Sequence, residues 1–520
     1  MKRTEYKPLL FTTTVKNSAK YKLLIEVILA FDGQILTNEV IDKIVFELVA
    51  RKIYVPMYGR QIKRLNKQLL LEGVRFSDED TKTIIKKSPQ DYKEAGFDRG
   101  WASRFDTFYK LAKELGFVYY EIGKPIEVSE TGLKLAKSTD PEFAHLEQQA
   151  FLNAFAKYER NNPFRRVKNA NRPLVLLLQT IFELRKIYND DCKGISRQEI
   201  PLILCWKDDN AKELAKRIKA IRDKYGFKPS GDYIYDICLK LLESSRANRF
   251  KKETIISEMP DDFIRKMRLT GLISLRGNGR FIDFNSLEKK KINYLLREYA
   301  ELSVKHTTER EYYDYMKQID ANLASIEAAA ITSKRKKERL LGNWVKQFRL
   351  STIKEELKIV SNQSMNTRNT LLKYISEPIR FEFLTAIALK KAFPALRVVP
   401  NYNTDDEGLP ICFAPGAAAD IICYGDDGNT LFEVRPLTGA QQNIREMFAV
   451  LRRLSDCVQT SPDSFSVIIC PRVHSDTLIF AEFAKYRDNL DVVALDTATF
   501  IDTLTVYKSA REYKIRRGNA

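Results

Sequence analysis

Apolar positions follow two different rhythms along the 520 residues. In the first two thirds they recur every three or four residues. This predicts amphipathic helices over Lys20–Phe31, Thr37–Arg51, Trp101–Leu115, Pro173–Leu184 and Glu253–Thr270. Two of these helices run into an alternating stretch broken by a turn. GFVYYEIGKPIEVSETGLKLAKS reads as strand, Gly123-Lys124-Pro125 turn, strand and short helix, and GLISLRGNGRFIDFN turns between Arg276 and Arg280. From Leu287 to Asn343 the chain is dense in Glu, Lys and Arg and has no Pro, which predicts a mostly helical connecting segment.

In the last third the apolar runs shorten and become rich in β-branched and aromatic residues. Strands are expected at Ala419–Tyr424, Thr430–Val434, Phe465–Cys470 and Leu490–Leu495, and helices at Ile379–Phe393, Gly439–Leu454 and Ser475–Tyr486. Such alternation predicts a mixed sheet flanked by helices. Gly425-Asp426-Asp427-Gly428-Asn429 supplies residues that tolerate positive φ, so the first two strands form a hairpin, placed at one edge of the sheet. Asp420 then lies near the open end of one strand and Glu433 near the end of the other, where they can face each other. Two acids among apolar neighbours are costly unless a cation joins them. Mg²⁺, a hard ion that keeps some of its waters, suits such a pair. The plainer alternative is that Asp420 is a strand-edge residue and Glu433 faces solvent.

Glu382 adds a third acid. It stands among Phe381, Phe383 and Leu384, where a carboxylate is either paired or functional. Downstream, Gln441, Gln442, Arg445, Glu446 and Arg453 can face the hairpin from the following helix. An acid on a helix, Asp420, and then Glu433-Val434-Arg435 before a helix together resemble the PD-(D/E)xK nuclease fold. More narrowly, KPLLFTTTVKN, LTNEVIDKIVFELVARKIYVPMYG and the stretch from Glu433 to Gln442 resemble the AlwI family of restriction endonucleases, which includes nicking enzymes and large subunits of heterodimers. The resemblance spans nearly all of the chain. It implies Mg²⁺-dependent hydrolysis of a DNA phosphodiester, one or two ions per site, at a fixed offset outside an asymmetric sequence, as in type IIS enzymes. Carried over residue by residue, it makes Asp420, Glu433 and the Val434 carbonyl metal ligands. Glu382 would hold the metal directly or through water, and Glu446 is an auxiliary acid. Arg435 replaces the usual Lys; it cannot act as a base but can stabilise a phosphorane oxygen. Arg453 stands where a His is sometimes found, so deprotonation of water falls to the metal or to solvent.

Charge asks whether the rest of the chain delivers DNA to this site. The formal net charge is +19, and its distribution is uneven. Residues 351–520 hold 20 Lys+Arg against 21 Asp+Glu, leaving 67 against 47 in residues 1–350. The basic surplus therefore lies outside the acid-bearing part, as expected if the amino-terminal part grips DNA. A helix followed by a basic-tipped hairpin is the winged-helix arrangement, so two winged-helix-like units are expected. Arg276 and Arg280 at the second tip are candidate phosphate contacts, and Arg165, Arg166, Lys168 and Arg172 in NPFRRVKNANR could line a duplex backbone or form a solvated linker. The charged segment 287–343 could set the distance to the scissile bond or serve as a dimerisation arm, and its Lys334–Lys337 run could neutralise phosphates.

Several classes are disfavoured. His145, His306 and His474 are far apart, the seven cysteines form no CxxC pair, and no Gly-rich Lys-Ser/Thr phosphate loop appears, so neither zinc nor nucleotide hydrolysis is expected. With no secretory signal and no apolar run of membrane-spanning length, a soluble protein of a reducing prokaryotic cytoplasm is expected, its cysteines free thiols. The resulting expectation is an α+β multidomain protein. Residues 1–145 and 146–286 form a mostly helical, winged-helix-like recognition module, 287–345 a charged helical linker, and 346–520 a PD-(D/E)xK domain with a mixed β-sheet flanked by helices. Its partners would be double-stranded DNA, a companion DNA methyltransferase, and a second copy or a small catalytic subunit for cutting both strands. The rival reading is a non-catalytic DNA-binding regulator that keeps a nuclease-like domain.

Overall fold

Two patterns of burial separate the halves of the molecule, and the second positions the acids. A computed structural model describes the chain except for residues 1–4, 13, 16, 66–74, 141–142, 166, 244–248, 302–305, 328–332, 363–366, 414–417, 427, 436–439 and 516–520, and describes the backbone alone at 440–446 and 515.

The amino-terminal half is helical with small sheets. Helices α1 (Lys20–Leu29), α2 (Asn38–Ala50) and α3 (Trp101–Glu114) precede the antiparallel pair β1 (Val118–Tyr119) and β2 (Glu127–Val128), and α4 (Glu130–Lys137) follows. The turn of this hairpin is not a free tip. Leu36 N–H donates to Lys124 O and Ile126 N–H to Gln34 O, so residues 34–36 lie along its side. After α5 (His145–Lys157) and α6 (Pro173–Ile187), a short strand β3 (Ile195–Ser196) joins a second hairpin much later in the chain. Helix α7 (Met259–Leu269) runs into β4 (Ile273–Arg276) and β5 (Phe281–Phe284), giving a three-stranded sheet in the order β3-β5-β4. The expected helix–hairpin units are therefore present as local structure at both places.

The charged connecting segment is helical in pieces. Lys289–Glu298, Glu309–Met316, Ala321–Ser325 and α8 (Lys334–Gln347) are separate helices, and the first three fold back on the amino-terminal half. Tyr312, Tyr313 and Met316 are buried there, and Lys157 Nζ donates to the carbonyls of Tyr315 and Met316 at 2.9 and 2.8 Å. Aromatic residues spaced among the charges give this segment a packing face.

The carboxy-terminal part builds one five-stranded sheet. Helices α9 (Leu350–Val360) and α10 (Glu377–Ala392) lead into β6 (Arg397–Pro400), a two-stranded pair β7 (Asn403–Thr404) and β8 (Pro410–Cys412), then β9 (Ile421–Tyr424) and β10 (Thr430–Val434). The long α11 (Ala440–Thr460), β11 (Phe465–Cys470), α12 (Ser475–Asp488), β12 (Val492–Asp496) and α13 (Thr497–Val506) complete it. Strand order is β12-β11-β10-β9-β6. β10 pairs in parallel with β11, and antiparallel with β9. The acid-bearing hairpin is thus interior, not at the edge as expected. The edge beside β9 belongs to β6, a four-residue strand ending in Pro400, and proline is tolerated at an edge.

All six residues of β11 and all five of β10 are buried, because helices cover both faces. Alternation survives in what each side chain packs against. Phe432, Val434, Val467 and Ile469 join the core that includes α10 and α13, whereas Ile468 packs with Leu451 and Leu454 of α11 and with Ala481 and Ala484 of α12. Glu433, paired with Ile468, is directed towards α11 by the same alternation. Phe432 is fully buried beside it, with its ring edge-on to Tyr513 at 5.6 Å. Phe432→Ala is expected to lower the stability of this part by about 3–5 kcal/mol, read as an earlier urea transition of the sheet by circular dichroism.

Candidate active site

Three carboxylates meet where α10, β9 and β10 converge. Helix α10 is buried continuously from Ile379 to Leu389, so it has no solvent face onto which Glu382 could turn. Glu382 is 1% exposed, and its Oε2 has no hydrogen-bond partner. Burial holds this carboxyl well above the usual carboxylate range. The nearby Asp420 charge adds to that effect and the Arg435 guanidinium opposes it.

Asp420 stands one residue before β9. Its Oδ2 accepts the Val434 N–H at 2.8 Å, and its carbonyl accepts the Asn401 N–H at 2.8 Å. Asn401 also donates through Nδ2 to Ala419 O at 2.7 Å. The loop between β6 and β7 thereby fixes the start of β9, a role that nothing in the sequence pattern marked.

Glu433 is wholly buried and carries most of the local ion pairing. Arg453, from α11, donates Nε to Oε1 and Nη2 to Oε2, both at 2.9 Å, forming a bidentate fork. Arg435 Nη2 donates to the same Oε2 at 2.9 Å, and its Nη1 lies 3.6 Å from Asp420 Oδ2. Burial raises the Glu433 carboxyl pKa, while the charges of Arg435 and Arg453 pull it down. The Arg435 backbone N–H continues the parallel pairing by donating to Ile469 O at 2.8 Å, which fixes where its side chain starts.

Of the residues expected at a catalytic centre, Glu382, Asp420, Glu433 and Arg435 are brought together. Val434 spends its N–H on Asp420. The backbone of Glu446 lies in α11, and its side chain falls outside the described residues, as do those of Gln441, Gln442 and Arg445. Arg453, expected to face the hairpin and to stand where a base is sometimes found, does face it and forms a bidentate ion pair with Glu433. Tyr402 was missed. Its hydroxyl is buried without a partner, and burial together with the Glu382 charge holds the phenol well above its usual range.

Among the described residues no group of three or more His, Cys, Asp or Glu side chains stands in metal-holding geometry. The donor chemistry nevertheless suits a hard cation. Three carboxylates face two guanidinium groups, and Glu382 Oε2 is an orphaned buried oxygen, which costs free energy that a divalent ion would recover.

The expected DNA contacts divide differently. Arg165 is held inside by Glu114 at 2.7 Å and by the Phe11 carbonyl at 2.7 Å, and Arg172 by Glu159 at 2.8 Å and the Tyr299 carbonyl at 3.1 Å. Arg276 is engaged by Asp283, Asp406 and Glu407. These three guanidinium groups are occupied within the fold, so they do not form a free phosphate-facing row. Lys168 and Arg280 are exposed, and Arg166 lies outside the described residues.

The sequence matches the AlwI restriction endonuclease family over residues 113–375 and 360–503. The chain belongs to that family. As an AlwI-family restriction nuclease it acts on DNA. No curated protein matches it. Among solved structures, the crystal structure of the small subunit (R.BspD6I2) of the heterodimeric restriction endonuclease R.BspD6I is 24% identical. It covers 30% of this chain and 78% of its own, with a TM-score of 0.25. Restriction endonuclease FokI, free and bound to DNA, is 12% and 11% identical over 99% of this chain and 98% of its own, with TM-scores of 0.23 and 0.22. All seven cysteines of the AlwI-family chain are free thiols, and no helix among the described residues is long and apolar enough to cross a membrane.

Arg453→Met leaves Glu433 buried beside Arg435, and is expected to cost about 3–5 kcal/mol. In a double-mutant cycle with Glu433→Gln, the expected interaction energy is about 1–3 kcal/mol. A value near zero from thermal melts would mean that the fork contributes nothing.

Proposed function

We propose that this AlwI-family nuclease hydrolyses a DNA phosphodiester at the Glu382–Asp420–Glu433 cluster, in a PD-(D/E)xK-type domain. It would use Mg²⁺ and cut at a fixed offset outside an asymmetric site. The observation that carries the reading is the convergence of the three acids, with Glu382 left buried and unpartnered on one oxygen.

Asp420 and Glu433 would hold the ion, with Glu382 contributing directly or through water and the Val434 carbonyl as a further oxygen. Bound there, Mg²⁺ would supply an activated water and neutralise charge on the scissile phosphate. The chain's own residues do the positioning. The Val434 N–H fixes the Asp420 carboxylate, leaving its Oδ1 for another partner. Arg453 fixes both oxygens of Glu433; Oε2 accepts from Arg435 as well, so Oε1, which accepts from Arg453 Nε, is the oxygen that would turn to an ion. Arg435 would meet charge developing on phosphorus oxygens. It lies between Glu433 and Asp420 and remains protonated at any working pH. It cannot take a proton from water, so it serves as an electrostatic group.

The amino-terminal half would read the DNA through its two winged-helix-like units, with Arg280 and Lys168 among its exposed cations. One cluster of acids in a chain cuts one strand per encounter. Cutting both strands therefore requires a second copy or a smaller catalytic partner, and a chain acting alone would nick.

Supercoiled plasmid with Mg²⁺ is expected to become nicked or linear, and chelation by EDTA is expected to stop this. Asp420→Ala and Glu433→Ala should abolish conversion, while Arg435→Ala should slow it by about 10²–10³-fold. Sequence-specific binding with intact plasmid in every sample would instead establish a non-catalytic regulator. Strand-specific sequencing of the ends reads the offset and distinguishes nicking from double-strand cutting.

A further inference from the structure

The turn joining β7 to β8 reads Asp405-Asp406-Glu407-Gly408-Leu409. Three consecutive acids at a turn would ordinarily be solvated. Here all three are engaged by side chains from elsewhere in the chain, Asp405 fully buried and Glu407 still partly exposed. Asp405 Oδ2 accepts from Arg268 Nη1 at 3.1 Å, and the same arginine donates Nη2 to Pro410 O at 2.9 Å. Asp406 accepts from Ser274 Oγ, from Arg276 Nη2 at 2.8 Å and from the Ser286 N–H at 3.1 Å. Glu407 accepts from Arg276 Nη1, and its carbonyl accepts Trp344 Nε1 at 2.8 Å. Gly408, at φ +84°, lies against α8 so closely that an added Cβ would stand 2.7 Å from Leu340 Cβ.

A second attachment starts from the same helix. Arg265 of α7 donates to Lys373 O at 2.9 Å, and Asp261 accepts from Lys373 Nζ at 2.6 Å and from the Tyr374 hydroxyl at 2.8 Å. Residues 373–374 immediately precede α10, which carries Glu382. The unit α7–β4–β5 therefore holds the carboxy-terminal part at the turn of the separate β7–β8 pair and just before the helix bearing a catalytic acid.

We propose that this clamp is a registering device, and that Arg276, with Arg268, is a positioning residue that determines which phosphodiester is cut. The inference rests on the nuclease reading above. All three nitrogen atoms of the Arg276 guanidinium are committed within the fold, Nε going to Asp283 Oδ2 at 3.0 Å. It cannot also grip a phosphate while the clamp is closed. Burial of Asp405 with Arg268 makes this a packed contact, unlike the exposed pairs that contribute little to rigidity. If the helix–hairpin unit sits on DNA, every displacement of the sheet relative to it moves the acids along the duplex.

Arg276→Ala tests this in the full-length chain with a duplex carrying the recognition site. Sequencing of the ends is expected to give one bond for the wild type, and that bond plus its neighbours for the variant. DNA affinity and its salt dependence should remain unchanged. Small-angle scattering, which does not depend on cutting, should show a larger radius of gyration for the variant. A folded variant that cuts only at the wild-type bond, with unchanged scattering, overturns the proposal. So does a binding loss with the salt slope reduced by about 1, the mark of a phosphate contact. If Arg276→Ala does not fold, the double variant Asp406→Asn, Glu407→Gln preserves side-chain volume and is read in the same two ways. A wild type that leaves the duplex intact defeats the nuclease reading, and scattering alone then decides whether the clamp exists.

Discussion

Burying Glu433 in the middle of a sheet is the constraint around which the carboxy-terminal half is organised. An unpaired carboxylate there would cost several kcal/mol, so the fold must bring cations to it. One comes from two residues on, Arg435, just past the end of the strand, and the other from twenty residues downstream on α11, Arg453. The second requirement fixes α11 against the face of the sheet that Glu433 occupies. The ion pairs thus serve two ends: they stabilise a buried acid, and they hold it in one orientation.

Glu382 shows the other side of that arrangement. It is as buried as Glu433 but is left short of one partner, and its carboxyl is displaced upward by burial and by the Asp420 charge. Glu433 is met by two guanidinium groups, whereas one oxygen of Glu382 is buried without a partner. The β7–β8 turn solves the same electrostatic problem in the opposite sense. Asp405, Asp406 and Glu407 meet Arg268 and Arg276 at short distances, so the charges there are paired, while Glu382 keeps an unpartnered oxygen.

Much of the local structure was legible in the order of residue types. The hairpin β9–β10, strands β11 and β12 and the helix before Asp420 follow from runs of β-branched residues, turn glycines and helical periodicity. The grouping of Glu382, Asp420 and Glu433 followed from those elements together with the family resemblance. Strand β6 was missed because Arg397-Val-Val-Pro400 is short and ends in proline; the sheet supplies what its sequence lacks. The basic row at Arg165 and Arg172 was misleading for a related reason. A cluster of arginines in sequence looks the same whether it faces phosphate or buried acids, and the acids that claim these two, Glu114 and Glu159, stand 51 and 13 residues away.

By itself, then, the sequence determined the elements, the polarity of each stretch and the family, because period, turn chemistry and motif order are properties of neighbours along the chain. Only the tertiary structure decided the fate of each charge. Whether Arg276 meets DNA or Asp406, or Arg453 is a lost base or a counter-ion, depends on groups 130 and 20 residues distant. Electrostatic pairing falls off with distance in space and rises with exclusion of water, and neither quantity is written along the chain.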